Sequence, residues 1–184
     1  MNFLELLSPA GDAKSFKAAI LAGANAIFFG VENFNARQRA ENISFENLSD
    51  LINLAKSKNV KSYLTLNTLV YDSEFHNLFE TVQKAIQCGI DAVIVQDMGV
   101  LYFVKQNFPD LEIHASTQMT THNILQCEFL SEVGVSQINL SRELSLVELK
   151  PLVKFLNSKN IIAEIFALDK ASSASTTSKE VAIP

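Results

Sequence analysis

Short apolar runs rich in β-formers alternate with longer segments of helical period along nearly the whole chain, and that alternation most restricts the fold. The predicted strands are Phe3–Leu7, Ala26–Gly30, Lys61–Leu66, Ala92–Val95, Leu111–Ala115, Gln137–Leu140 and Ile161–Phe166. Helices are predicted between them near Ala13–Ala22, Phe45–Ser57, Ser73–Gln87, Gly99–Asn107, Thr121–Val133 and Leu146–Ser158. Asp12, Ser44, Ser73 and Asp97 can cap orphan N–H groups, and Ser145-Leu-Val-Glu148 has the form of a capping box. Gly23, Gly89 and Gly134 suit the left-handed position that ends a helix. The helix-to-strand junctions repeat. Ala22-Gly-Ala-Asn-Ala26, Cys88-Gly-Ile-Asp-Ala92 and Val133-Gly-Val-Ser-Gln137 share one pattern, and Ser57-Lys-Asn-Val60 and Ser158-Lys-Asn-Ile161 another.

Strands that are mostly apolar and separated by helices pair in parallel, with both faces covered. A doubly wound open sheet and a (β/α)8 barrel both meet that demand. No Gly-x-Gly-x-x-Gly follows the first strand, so the usual mark of a dinucleotide-binding open sheet is missing. The barrel is favoured, but length works against a full one: strand starts recur about every 26 residues, so eight units need about 210 of them. The expected fold is therefore α/β, a TIM-barrel-like (β/α)8 ring truncated to about seven strands and six helices. Residues 1–168 would form the incomplete barrel. Residues 169–184, with a Ser/Thr/Ala-rich middle and no period, read as a disordered tail.

Composition narrows the function classes. The chain of 184 residues is 48% hydrophobic and carries 15 Lys+Arg against 20 Asp+Glu, so it can bury a core and is not of disordered type. A net charge of −5 gives no global attraction to nucleic acid or anionic membrane. The longest apolar stretch, Ala18–Val31, is 14 residues with Asn25 inside it, short of the roughly 18 of a membrane span. The start, MNFLELLSPAGD, has no basic n-region, and Glu5 stands where a signal peptide would be apolar. A cytoplasmic protein without a membrane span is expected. Cys88 and Cys127, the two cysteines, lie far apart in helical patterns and read as reduced thiols.

In βα barrels the functional groups sit on loops after the strands. Those loops hold Ser8-Pro-Ala-Gly-Asp12, Val31–Arg39, Asn67-Thr68, Gln96-Asp97, Ser116-Thr-Gln118 and Ser141-Arg-Glu143. Amide, carboxylate, guanidinium and hydroxyl groups would converge there, a set that suits a planar polar ligand such as a nucleobase or a carboxylate. Asn67, Gln96, Ser116 and Gln118 are candidate binding residues, and Arg37 and Arg142 candidate anion clamps. His114 and Asp97 are the candidate acid/base groups. Each also has a structural alternative: Asp97 as a helix cap, Asn67 as a strand end, the arginines as partners of Glu32, Glu41 or Glu143. Alternation in Leu111–Ser116 places Glu112, His114 and Ser116 on one face, where a satisfied lumen histidine is as good a reading as a functional one. No metal site is expected: His114 has no His, Cys or carboxylate at zinc-ligand spacing. Gly-x-Ser-x-Gly, His-Glu-x-x-His, P-loop and Cys-x-x-Cys patterns are missing, which leaves a protease without a visible nucleophile or metal.

Several segments carry a resemblance. Glu5-Leu-Leu-Ser-Pro-Ala-Gly11, Phe34-Asn-Ala-Arg37, Thr65-Leu-Asn67, Asp91-Ala-Val-Ile-Val-Gln-Asp97, Ile113-His-Ala-Ser-Thr-Gln-Met119 and Ser141-Arg-Glu-Leu144 resemble the peptidase U32 family, also called collagenase-like proteases. The resemblance runs from about Glu5 to Phe166. It implies a barrel whose later half carries cysteines for an iron–sulfur cluster. It also implies an oxygen-independent hydroxylation system acting on a tRNA uridine, an rRNA cytidine or a ubiquinone precursor, with prephenate as a hydroxyl source in the RNA branches. RNA is the implied partner, and peptide cleavage is the older family label. This sequence departs after Glu164-Ile-Phe166, where the family continues into His-Gly and a cysteine-rich stretch; no cysteine follows Cys127. The expectations are a truncated family member, inactive alone and without a cofactor of its own. Its open barrel edge would self-associate or pair with a partner subunit.

Overall fold

The structure, a computed structural model, describes residues 5–36, 42–167 and 179–183. Strands and helices alternate in the order β1 (Glu5–Ala10), α1 (Ala13–Leu21), β2 (Ala26–Phe29), α2 (Phe45–Ser57), β3 (Lys61–Leu66), α3 (Phe75–Cys88), β4 (Ala92–Val95), α4 (Met98–Asn107) and β5 (Glu112–Ala115). There follow α5 (Ile124–Glu132), β6 (Gln137–Asn139), α6 (Leu146–Ser158), β7 (Ile162–Ala167) and β8 (Lys179–Ile183). Strands β1 to β7 pair in sequence order and in parallel, as a TIM-barrel-like ring requires.

Two expectations are corrected. The segment 179–183 is not part of a disordered tail: β8 pairs antiparallel with β7, Phe166 opposite Glu180, and with β1, Leu6 opposite Val181. The ring is thereby closed, and no edge between β1 and β7 is left open for a partner. The physical reason is the row of unpaired N–H and C=O groups that two bare edges would present. The five-residue strand pairs with Ala163–Ala167 of β7 and with Glu5–Leu7 of β1, and the aperiodic sequence before it concealed it. The rest of the predicted tail, 169–178 and Pro184, lies outside the described residues. A smaller difference concerns β1, which runs on through Ser8-Pro9-Ala10, opposite Ile27, Phe28 and Phe29 of β2.

Helix ends follow the local chemistry. Asp12 accepts from Ser15 N and Ser145 from Glu148 N, each within a reciprocal capping box, while Ser44 makes no side-chain cap bond. Ser73 lies inside a 3-10 turn, Asp72–Glu74, that precedes α3. The second junction repeat is explained by Asn59 and Asn160, both left-handed (φ 56 and 58), which play the part of glycine before β3 and β7.

Strand alternation sorts the core into two layers. Outward residues such as Ile27, Phe29, Leu64, Val93, Ile113 and Ile138 join Leu48, Ile52, Val82 and Leu156 of the helices in the main cluster. Inward residues Leu7, Ala26, Tyr63, Ala92 and Ile94 form a small lumen cluster. Each large aliphatic residue so buried contributes about 1.5–3 kcal/mol. The lumen is polar at both ends. At the end where strands begin, the Tyr63 hydroxyl donates to Glu5 Oε1 at 2.9 Å and Lys61 pairs with Glu5 at 3.2 Å. Burial first, and Glu5 second, push the Tyr63 phenol far up, so it stays a donor. Among the described residues no helix is long and apolar enough to cross a membrane.

Candidate functional site

At the other end, where the parallel strands finish, a cavity of about 220 Å³ opens. Its walls come from β1 to β4, β6 and β7, and from the loops after β1, β2, β3, β5 and β6. Phe28 and Phe166 supply apolar faces; Asn35, Thr65, Asn67, Ser116, Gln118, Asn139, Arg142 and Glu164 supply polar groups.

Glu164 organises the inner wall. It is 2% exposed, on β7 directly opposite Asn139 of β6. Gln137 Nε2 donates to its Oε2 at 2.5 Å and Asn139 Nδ2 to its Oε1 at 2.7 Å. A buried carboxylate needs such donors on both oxygens. Gln137 and Asn139 are two apart on one strand, so alternation aims both at the same carboxylate. Their carbonyl oxygens, Gln137 Oε1 and Asn139 Oδ1, are buried and have no partner among the described residues.

The outer wall is built by close approach. Gly30 follows β2, and a Cβ there would lie 2.5 Å from Asn35 Cγ. The missing side chain lets the buried Asn35 amide rest on the strand end, where Nδ2 donates to Val31 O and to Asn42 Oδ1. Asn67 Oδ1 accepts from Ala36 N at 3.0 Å and Thr65 Oγ1 donates to Phe29 O at 2.9 Å, joining β3 to the same wall. Arg142 lies with its guanidinium carbon 3.9 Å from the Phe166 ring centroid, a stacked arrangement. Ser141 donates to Glu143, and that bond, aided by the neighbouring backbone and Arg142, holds Glu143 below the usual carboxylate range.

Of the residues singled out from sequence, Asn67, Ser116, Gln118 and Arg142 line this cavity. Asp97 and His114 do not. Asp97 caps α4, accepting from Gly99 N at 2.7 Å and Val100 N at 3.1 Å, and also receives Val70 N at 3.3 Å. Gln96, the residue before it, is half-buried and also not among the cavity residues. His114 lies one layer deeper, 2% exposed, edge-on to Tyr63 with centroids 4.6 Å apart. Its Nε2 is 3.6 Å from Glu112 Oε2, and this contact holds the Glu112 carboxyl low against the opposing effect of burial. Arg37 and Arg39 lie outside the described residues.

Sequence reasoning missed Glu164, Asn139 and Asn35. The signal was there for two of them: Gln-Ile-Asn alternates polar and apolar in a strand, and Glu164 interrupts an otherwise apolar one. Asn35 lies in the Phe34-Asn-Ala-Arg37 segment that carries the resemblance, but only the fold reveals that it rests on Gly30.

Among the described residues no group of three His, Cys, Asp or Glu could hold a metal ion. The iron–sulfur cluster implied by the resemblance takes about four thiolates. The chain has two cysteines, on α3 and α5, and burial pushes both thiols up, Cys127 to about 11. These residues do not fit such a cluster.

Comparison with known proteins gives a consistent picture. The model of Peptidase family U32 matches residues 11–175. The 23S rRNA 5-hydroxycytidine C2501 synthase of Escherichia coli K12 is 41% identical over 149 residues, covering 81% of this chain and 22% of that protein. The tRNA hydroxylation protein P of Helicobacter pylori 26695 is 36% identical over 167 residues, 90% of this chain and 39% of that protein. The chain thus spans about a fifth to two fifths of the length of these relatives. Among solved structures, the U32 peptidase Mk0906 superposes with a TM-score of 0.68 at 12% identity, over 89% of this chain and 68% of that one, and so supports the fold.

Proposed function

The chain belongs to peptidase family U32, and from that premise we propose that it forms the base-recognising barrel of an RNA-hydroxylation protein, taking a pyrimidine ring of RNA into the cavity at the strand ends. The observation that carries this reading is the cavity's make-up. Aromatic faces (Phe28, Phe166) lie beside amides and one stacked guanidinium (Asn67, Gln118, Asn139, Arg142), in a space of about 220 Å³. The names of the relatives that act on rRNA and tRNA support it. Asn67, Ser116 and Gln118 would bond the ring edge, and Arg142 a phosphate or a carboxylate co-substrate such as prephenate. The residues present bind and orient; the reading assigns them no redox step, and thiolates for a cluster would come from other polypeptide.

The peptidase label finds less support. Among the described residues the histidines contact Thr120 O, Asn123, Glu80 and Glu112, and none is hydrogen-bonded to a hydroxyl or thiol. The test is an NMR titration of the 184-residue chain with cytidine and uridine, alongside incubation with gelatin. Saturable shifts confined to the cavity residues, with gelatin intact, are expected. Gelatin cleavage by pure protein, or no binding of either nucleoside, would overturn the reading.

A further inference from the structure

The unpaired oxygen of Asn139 has a consequence for which ring the cavity takes. Both oxygens of Glu164 accept hydrogen bonds from amide NH2 groups, one from Gln137 and one from Asn139. With both carboxylate oxygens accepting, each amide presents its NH2 to Glu164, and a flipped amide would set oxygen against oxygen. Glu164 therefore fixes the orientation of both amides and turns both carbonyl oxygens away from itself. Asn139, 5% exposed, is a cavity residue, and its Oδ1 has no donor among the described residues. Leaving a buried acceptor unpaired is costly, and a ligand donor reaching it relieves that cost.

We propose that Asn139, oriented by Glu164, is the specificity-determining residue of this cavity, and that it selects a ring bearing an exocyclic amino group over one bearing a carbonyl at the same position. Resting on the base-recognition reading, this names the substrate as a cytosine-type ring. The 4-amino group of cytosine donates to Asn139 Oδ1. Uracil would present its O4 acceptor to an acceptor beside a carboxylate. Glu164 acts through the amides it holds and is a positioning residue.

The test is a chemical-shift titration of the 184-residue chain with cytidine, uridine and N4,N4-dimethylcytidine. Cytidine is expected to bind about tenfold more tightly than either of the others, the effect of one hydrogen bond to an otherwise unpaired group. In Glu164→Gln the side-chain amide can donate as well as accept, so Asn139 is free to turn its NH2 toward the ligand. The preference should then fall to near unity or pass to uridine, which mere loosening of the wall would not produce. Asn139→Ala should bind cytidine and uridine alike. Equal affinity of the unaltered chain for cytidine and uridine would overturn this inference while leaving base recognition standing. Binding of neither would overturn both. Because the dimethylated ligand tests the same contact without a substitution, a variant that fails to fold leaves the inference testable, and dimethylcytidine binding as tightly as cytidine would refute it.

Discussion

Replacing Gly30 with alanine tests whether the outer wall of the cavity is held by one close approach. The added Cβ would stand 2.5 Å from Asn35 Cγ, 2.7 Å from Nδ2 and 2.9 Å from Oδ1, so the amide must leave its place. Asn35 is 2% exposed and donates to Val31 O and Asn42 Oδ1, so moving it forfeits those bonds inside a filled space. Two hydrogen bonds at about 1 kcal/mol each, within the usual overpacking range of about 1–3 kcal/mol, give an expected loss of about 2 kcal/mol. For a chain of this size that is a fall in Tm of about 4–8 °C. Differential scanning calorimetry of Gly30→Ala, Asn35→Ala and the double variant measures it. If the clash is the mechanism, the double variant is less destabilised than the sum of the singles, by about 1 kcal/mol or more. Strict additivity, or a Gly30→Ala protein as stable as the parent, would refute the reasoning.

Three further outcomes are expected. Asp97→Ala removes a cap on α4 and should cost about 1–2 kcal/mol in urea unfolding while leaving nucleoside affinity unchanged, since Asp97 is outside the cavity. The Cys127 thiol, raised from about 9 to about 11, keeps its proton in the folded chain while the unfolded chain loses it; stability therefore falls as pH rises between those values, a slope that urea melts should flatten in Cys127→Ala. Glu112 is held low chiefly by its bond to His114, so its contribution is present above about 4.5 and lost as pH falls through the lowered value. Glu112→Gln should make the acid limb of an unfolding profile shallower, by a small amount because the side chain is 63% exposed.

Much of the barrel was legible because it is written in local terms. The period of α3, with Leu78, Val82 and Ala85 on its buried face, the capping box at Ser145 and the left-handed Asn59 and Asn160 each act within a few residues. The strand order of βα units follows from the short connections between them. The site was half legible. Asn67, Ser116, Gln118 and Arg142 follow strands and reach the mouth, as position alone predicts. Asp97 also follows a strand, yet its carboxylate is taken by N–H groups one turn away, a competition that spacing cannot decide.

By itself, the amino-acid sequence determined the alternation of strands and helices, the parallel pairing, the caps, and which end of the ring carries polar loops, because each depends on neighbours along the chain. Only the tertiary structure decided that β8 closes the ring between β7 and β1, that Glu164 meets Gln137 and Asn139 across a strand boundary, and that Asn35 lies over Gly30. Those are contacts between distant segments, where register and the space left by a missing side chain set the geometry.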